Sequence, residues 1–216
     1  MNKKTQVIIF CGLDGSGKTT QANKLVEYFR NNKIKFHYSW MRYPNKFSLP
    51  FAAFLRIMNL SGYPIPETKK KSGIKNLSSH ETLKKWWKKV VLYDLKLVSK
   101  SKVFKPLKEG HILILDRFVI DTVVELAINT GEESLIEKIL QDFSILIPEN
   151  SKIFFLDVEP DISYQRNKEE SIEVLRRKRN LYLKLCEILN ISVIDAKNSI
   201  QTIHEMILKE CGFYQK

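Results

Sequence analysis

The sequence predicts an α/β domain with a five-stranded parallel sheet and helices on both faces of that sheet. Short apolar runs of strand length alternate along the 216 residues with longer segments whose apolar residues recur at helical spacing. This alternation favours a parallel sheet whose strands are joined by right-handed crossovers. Neither an internal repeat nor a linker interrupts the pattern, so we expect one domain over residues 1–216.

The predicted strands differ in how their apolar residues are arranged. Residues 112–116 form a continuous apolar run that ends in Asp116, which is typical of a central parallel strand. Residues 34–40 alternate apolar and polar side chains instead, as a half-buried strand does. In chain order, the predicted strands are residues 6–11, 34–40, 112–116, 152–157 and 191–194.

The predicted helices are the segments in which apolar residues recur every three or four positions. Gly131 closes one of them as a C-terminal glycine, and Ser171 opens another as an N-cap. The glycines and prolines between residues 61 and 78 predict a loop there. In chain order, the predicted helices are residues 20–30, 47–60, 79–103, 118–128 and 134–146, a short helix with Arg166, a long helix from Ser171, and residues 202–209.

The segment of about residues 61–108 is basic and contains the run Lys84-Lys85-Trp86-Trp87-Lys88-Lys89. Basic side chains mixed with aromatic ones are typical of proteins that bind single-stranded nucleic acid. Both tryptophans nevertheless share the helical spacing of Leu83, Val91 and Leu95, so we favour two core tryptophans flanked by solvated lysines. We therefore expect no nucleic-acid partner and interpret the segment as an insertion in the domain.

The composition excludes several classes of protein. No segment approaches the about 20 apolar residues that span a bilayer, and the apolar stretch near the N-terminus is too short for a signal peptide. The three cysteines and four histidines lack the spacing of disulfide or zinc sites, so we expect buried thiols, the cytoplasm and no structural metal. The net charge of +12 fits an anionic partner, whether nucleic acid, lipid or nucleotide phosphates.

One motif indicates which anion the chain binds. Residues 12–19 fit the pattern of glycine, any four residues, then Gly-Lys-Thr, between a predicted strand and a predicted helix. Lys18 supplies a positive charge to the β- and γ-phosphates, and the Thr19 hydroxyl is the expected ligand of Mg²⁺. Backbone amides and the positive end of the helix cradle a polyphosphate, so we assign ATP binding to Gly12, Leu13, Asp14, Gly15, Ser16, Gly17, Lys18, Thr19 and Thr20.

Further charged residues follow the predicted strands. Arg42 comes after the second strand, and Asp116 ends the third, with Arg117 directly behind it. The carboxyl ends of parallel strands border the crevice in which such folds bind ligands. Because a carboxylate at this edge can hold Mg²⁺ through water, the metal candidates are Thr19 and Asp116.

Four landmarks occur in a fixed order: the loop of residues 12–19, Arg42-Tyr43-Pro44, Asp116-Arg117-Phe118, and Leu156-Asp157-Val158-Glu159-Pro160 followed by Arg166. Together they resemble the motifs of thymidylate kinase and its nucleoside monophosphate kinase relatives over nearly the whole chain. The resemblance implies a P-loop kinase fold, ATP as donor, Mg²⁺ as cofactor, a nucleoside monophosphate, foremost dTMP, as acceptor, and a homodimer.

The resemblance also implies roles for single residues. Lys18, Arg117 and Arg166 would be catalytic, with Arg166 at the entrance of a lid over the donor phosphates. Arg42 and Arg117 would clamp the acceptor phosphate, and Asp14 would lie near the acceptor sugar or the metal. Arginine suits these positions because its planar fork binds phosphate bidentately and keeps its charge.

The sequence departs from the family pattern in two places. Asp121 and Glu125 stand where relatives have residues that read the acceptor base, so both are acceptor-binding candidates or partners of the nearby arginines. An ionised carboxylate offers no hydrogen bond to a thymine carbonyl, because both groups are acceptors. The lid, about residues 166–175, is short, so Arg176 or Arg177 would have to assist Arg166.

Two alternatives to a dTMP kinase therefore stay open. The first is a P-loop kinase of another nucleotide or small metabolite, which the carboxylates at positions 121 and 125 motivate. The second is a nucleic-acid-binding NTPase that uses the lysine-rich helix, for which strong salt dependence of binding would be diagnostic.

Overall fold

The computed structural model describes residues 6–42, 48–57, 63–64, 71–72, 77 and 80–213. The strands of this part are β1 (Val7–Cys11), β2 (Phe36–Trp40), β3 (Tyr63–Pro64), β4 (Lys71–Ser72), β5 (Ile112–Asp116), β6 (Ser151–Asp157) and β7 (Ser192–Asp195). Five of them form one parallel sheet in the order β2-β5-β1-β6-β7. The five predicted strands are confirmed, each within two residues of its predicted ends.

The helices connect these strands in the predicted order. They are α1 (Lys18–Asn31), α2 (Ser48–Ile57), α3 (Glu81–Ser99), α4 (Lys105–Lys108), α5 (Val119–Thr130), α6 (Ile136–Ser144), α7 (Pro160–Arg166), α8 (Ile172–Leu189) and α9 (Ile200–Glu210). A π-helical turn, Lys100–Phe104, joins α3 to α4, and a 3-10 turn, Glu133–Leu135, precedes α6. As predicted, Gly131 ends α5 with a φ of 67°, and the Ser171 hydroxyl caps α8.

The direction of the crossovers places helices on both faces of the sheet. From β1 to β2 the chain moves one way across the sheet, and in every later crossover it moves the other way. Because such crossovers are right-handed, α1 lies on one face and α3, α5 and α8 lie on the other. Helix α9 packs against α1, and α5 packs against α8, which agrees with this arrangement.

The predicted loop of residues 61–78 is described only in part. Strands β3 and β4 pair there as a short antiparallel ribbon, and Leu77 is buried in the core. Residues 61–62, 65–70, 73–76 and 78–79 lie outside the described residues, as do the predicted helix ends at 47 and 58–60 and the motif residues Tyr43 and Pro44.

Helix α3 corrects the interpretation of the two tryptophans. Trp87 is fully buried together with Val91 and Leu95, but Trp86 is 59% exposed, so its assignment to the core is wrong. Successive helical residues are about 100° apart, so the orientation of α3 can bury Trp87 while the adjacent Trp86 points to solvent. The exposed ring of Trp86 instead lies beside the ammonium of Lys89, 5.9 Å from its centroid.

The three cysteines are free and buried, which confirms the prediction of buried thiols. Burial raises the pKa of the Cys11 thiol well above its usual range and raises the pKa values of Cys186 and Cys211 to about 12. Among the described residues, no helix has the length and apolar character that crossing a membrane requires.

Candidate active site

The phosphate loop connects β1 to α1 at the carboxyl edge of the sheet. Gly12 has a φ of 140°, and a Cβ on it would lie 2.7 Å from the backbone oxygen of Leu156. Gly15 has a φ of 77°, and its Cβ would lie 2.9 Å from the Cβ of Arg166. Both positions therefore require glycine, which confirms that the loop passes close to β6 and to the end of α7.

Lys18 is buried at the first position of α1. Its ammonium donates to the backbone oxygens of Gly12 at 2.8 Å and Leu13 at 2.6 Å, and to Ser16 Oγ at 3.3 Å. Burial and the charge of Arg117 lower the pKa of Lys18 to about 8, although Asp121, Asp14 and Asp116 oppose the shift. The lysine is thus a desolvated cation held by neutral acceptors, which a polyphosphate can replace with charged ones.

The two metal candidates are in contact. The Thr19 hydroxyl donates to Asp116 Oδ2 at 2.5 Å, and Asp116 Oδ1 is buried without a hydrogen-bond partner in the described part of the chain. The phenol of Tyr38 lies close enough that burial and the Asp116 charge raise its pKa. A hydroxyl and an unsatisfied carboxylate oxygen are hard ligands of the kind that Mg²⁺ prefers, so these residues fit the ion.

Two arginines converge on Asp14 of the phosphate loop. Arg42 Nη2 lies 3.4 Å from Asp14 Oδ2, and Arg117 Nη2 donates to Asp14 Oδ1. Arg117 has a φ of 69°, a left-handed conformation that is uncommon for arginine. Its backbone N–H donates to the backbone oxygen of Phe10 at 2.9 Å. The structure thus brings both predicted acceptor-phosphate arginines to the loop, where Asp14 holds them.

We expect the Asp14 carboxylate to stabilise the fold in a pH-dependent way. Burial favours its neutral form, but Arg117, Lys18 and Arg42 outweigh burial and lower the pKa of Asp14 to about 2. Because the unfolded pKa is about 3.9, a stabilisation of about 2 kcal/mol is present above pH 4 and is lost as the pH falls toward 2. Thermal unfolding measured across this pH interval should show that wild type loses more stability than Asp14→Asn. Equal losses in the two proteins would mean that Asp14 is not the titrating group.

Asp121 lies on α5 behind the loop and is almost fully buried. Its carboxylate accepts from the backbone N–H of Gly12 at 3.4 Å, from that of Phe118 at 3.3 Å and from the Tyr182 hydroxyl at 2.9 Å. It also lies 3.6 Å from Arg117 Nη1. Burial raises the pKa of Asp121, although Arg117 and the hydrogen bonds from Tyr182 and Gly12 act to lower it. Of the two roles predicted for it, the structure shows the arginine contact, and acceptor binding stays a prediction.

Glu125 lies one turn further along α5 and has a different partner. Its Oε1 accepts from Lys178 Nζ at 2.5 Å, so within the described residues it pairs with a lysine and not with an arginine. Its acceptor-binding role also stays a prediction. Sequence analysis missed Lys178 and Tyr182, although their four-residue spacing on α8, within an otherwise apolar stripe, was a signal that both point inward.

The lid segment begins at the end of α7. Arg166 Nη1 donates to the backbone oxygen of Gly15 at 2.8 Å, and Ser163 Oγ donates to that of Asp14 at 2.6 Å. Arg176 lies 3.8 Å from Asp161, and Arg177 pairs with Glu133. Of the three lid arginines, Arg166 is therefore the one that contacts the phosphate loop in the described residues.

Comparisons with known proteins agree with this geometry. A family model described as thymidylate kinase matches residues 79–207, more than half of the chain. A thymidylate kinase of Fervidobacterium nodosum is 26% identical over 96% of this chain and 98% of its own length. One of Blochmanniella floridana is 28% identical over 91% and 90%, and a probable thymidylate kinase of Thermococcus kodakarensis is 27% identical over 93% and 94%. The chain therefore belongs to the thymidylate kinase family.

Proposed function

We propose that this protein transfers the γ-phosphoryl group of ATP to the phosphate of a nucleoside monophosphate, with dTMP as the acceptor. The observation that carries the proposal is the convergence of Arg42 and Arg117 on Asp14, which is itself a residue of the phosphate loop. A hydrolase needs one anion site, whereas these arginines provide a second one next to the first. The names of the relatives favour dTMP, and reduced buried thiols fit the cytoplasm.

The residues of the site divide the work between donor and acceptor. The loop amides and Lys18 bind the donor phosphates, and Arg166 contacts the loop from the lid side. Arg42 and Arg117 release Asp14, bind the acceptor phosphate and align it with the donor. Placement of the two phosphates and neutralisation of their charge dominate catalysis of phosphoryl transfer. Thr19 and Asp116 would hold Mg²⁺, which supplies further neutralisation of phosphate charge when bound.

A coupled assay with ATP and a panel of nucleoside and sugar monophosphates tests the proposal. Turnover with dTMP above all other acceptors supports it. If the enzyme prefers another nucleotide or a small metabolite, the proposed acceptor is wrong, but the proposed kinase activity stands. Absence of turnover with every acceptor, in a protein that still binds ATP, would overturn the function.

We also propose a homodimer that forms through α2 and α3. These helices pack on each other and expose large apolar side chains, namely Trp86, Tyr93, Leu49, Phe54 and Ile57. Clustered apolar side chains of this size mark an interaction surface, and a second copy would cover both helices at once.

Sedimentation checks the homodimer. Wild type should be dimeric and Trp86→Glu largely monomeric, whereas Ile145→Glu, at an exposed site beyond α6, should stay dimeric. A monomeric wild type that binds single-stranded DNA through Trp86, with strong salt dependence, would assign this surface to nucleic acid instead.

A further inference from the structure

A cluster of three charged residues, centred on a buried lysine, joins the lid segment to two helices. Lys178 on α8 has 5% of its side chain exposed, and its Nζ lies 2.5 Å from Glu125 Oε1 and 2.6 Å from Glu170 Oε1. Glu125 belongs to α5, and Glu170 belongs to the connection of residues 167–171 between α7 and α8. One ammonium group therefore ties the lid segment to α5 and α8. We call these residues the Lys178 triad.

The triad continues the contact that supports the phosphate loop. Glu125 follows Asp121 by one turn of α5, and Lys178 precedes Tyr182 by one turn of α8. Tyr182 donates to Asp121 at 2.9 Å, and Asp121 accepts from the backbone N–H of Gly12 at 3.4 Å. Because residues four apart share a helix face, the triad is the next layer of the same interface, on the side of the lid.

The charges of the triad are tightly coupled. Burial favours the neutral amine of Lys178, but Glu125 and Glu170 outweigh it and raise the pKa of Lys178. Burial raises the pKa of Glu170 against the lysine charge, and the carboxylates of Glu125 and Asp14 add to this rise. Loss of Lys178 would leave both carboxylates without their shared cation, whereas loss of one carboxylate would leave Lys178 paired with the other.

The residue before Glu170 reaches the predicted acceptor clamp. Glu169 is exposed and lies 3.4 Å from Arg42 Nη2, so two neighbouring lid residues contact cations from two different parts of the chain. The Glu169 contact is too exposed to fix the lid by itself. The contact of Glu170 with the buried Lys178 is less exposed and can restrain the lid more strongly.

On the basis of the proposed kinase function, we propose that Lys178 is a positioning residue for the phosphoryl acceptor. It acts through Glu170 and Glu125 and holds the carboxyl end of the lid segment against α5, so that this segment closes the acceptor side of the crevice. The donor side depends on a different contact, that of Arg166 with Gly15. Weakening the triad therefore affects acceptor binding and leaves ATP binding intact.

Steady-state kinetics of Glu170→Gln, Glu125→Gln and the double variant test this role. Glu173→Gln is the matched control, because Glu173 is exposed on the first turn of α8 and makes no ion pair in the described part of the chain. Glu170→Gln should raise the KM for the acceptor about tenfold, the effect of one lost charge-assisted hydrogen bond, with the KM for ATP unchanged. The rise in the double variant should be smaller than the product of the single rises, since both act through one ammonium.

A second measurement separates this proposal from the proposed function. Backbone amides of residues 167–171 should exchange hydrogen faster in Glu170→Gln than in wild type and Glu173→Gln, whether or not an acceptor has been identified. An unchanged acceptor KM in a less stable Glu170→Gln would show that the triad is structural and overturn the proposal. A wild type without any kinase activity would refute the proposed function, and equal exchange rates would then refute the role of Lys178 as well.

Discussion

Lys18→Met is expected to lower kcat by about 100- to 1000-fold, the usual loss when one charge-stabilising group is removed from a transition state. The folded structure should persist, because the acceptors of the lysine are two backbone oxygens and one hydroxyl, so no carboxylate loses an ion-pair partner in the described part of the chain. Lys24→Met is the control. It removes the same charge further along α1, away from the phosphate loop, and should keep wild-type activity. Activity of Lys18→Met within tenfold of wild type would exclude the lysine from the reaction.

The pH dependence of ATP binding offers a second check of Lys18. Burial and Arg117 lower its pKa to about 8 in the ligand-free protein, so the lysine loses its charge as the pH rises through that value. The affinity of wild type for ATP should decrease across this range, and Lys18→Met should bind weakly without this dependence. An identical pH profile in the two proteins would attribute the titration to another group.

Arg117→Gln is expected to lower kcat/KM by about 100-fold and the free energy of unfolding by about 3 kcal/mol. The catalytic loss follows from removal of an acceptor-phosphate donor. The loss of stability follows because Asp14 and Asp121, both mostly buried, lose the cation that they share. Enzyme kinetics and chemical denaturation measure the two effects separately.

The double variant Asp14→Asn with Arg117→Gln separates stability from catalysis. Neutralising Asp14 removes one of the two carboxylates that lose Arg117, so the double variant should regain part of the stability that Arg117→Gln loses. It should regain no activity, because the phosphate donor is still missing. Recovery of activity together with stability would mean that Arg117 serves the fold and not the acceptor.

The features that sequence analysis predicted well are local ones. The phosphate loop is contiguous, and strands such as β1 and β5 carry apolar runs that need no partner to be recognised. The position of Arg42 and Asp116 at the binding edge follows from the rule that carboxyl ends of parallel strands share one edge. These signals are sufficient to predict the sheet, the loop and the side chains that border it.

The pairing of the charged residues could not be predicted from sequence. Glu125 and Lys178 are 53 positions apart, and Asp121 and Tyr182 are 61 apart, so their contacts depend on how α5 packs on α8. Exposure of Trp86 was missed for a related reason. Trp86 and Trp87 both fit a broad apolar stripe, and only the packed orientation of α3 decides which of them is buried.

The left-handed backbone of Arg117 costs free energy when the chain folds and not during catalysis. A left-handed conformation is unfavourable by about 1–2 kcal/mol for a residue with a Cβ, and the chain adopts it once, when it folds. The contacts with Asp14 and Asp121 then keep the guanidinium aimed at the loop before any substrate arrives. Around a freely moving arginine, water would have to reorganise in every turnover. Because Arg117 is already held in place, this cost does not arise during the reaction, and Arg117 is preorganised for catalysis.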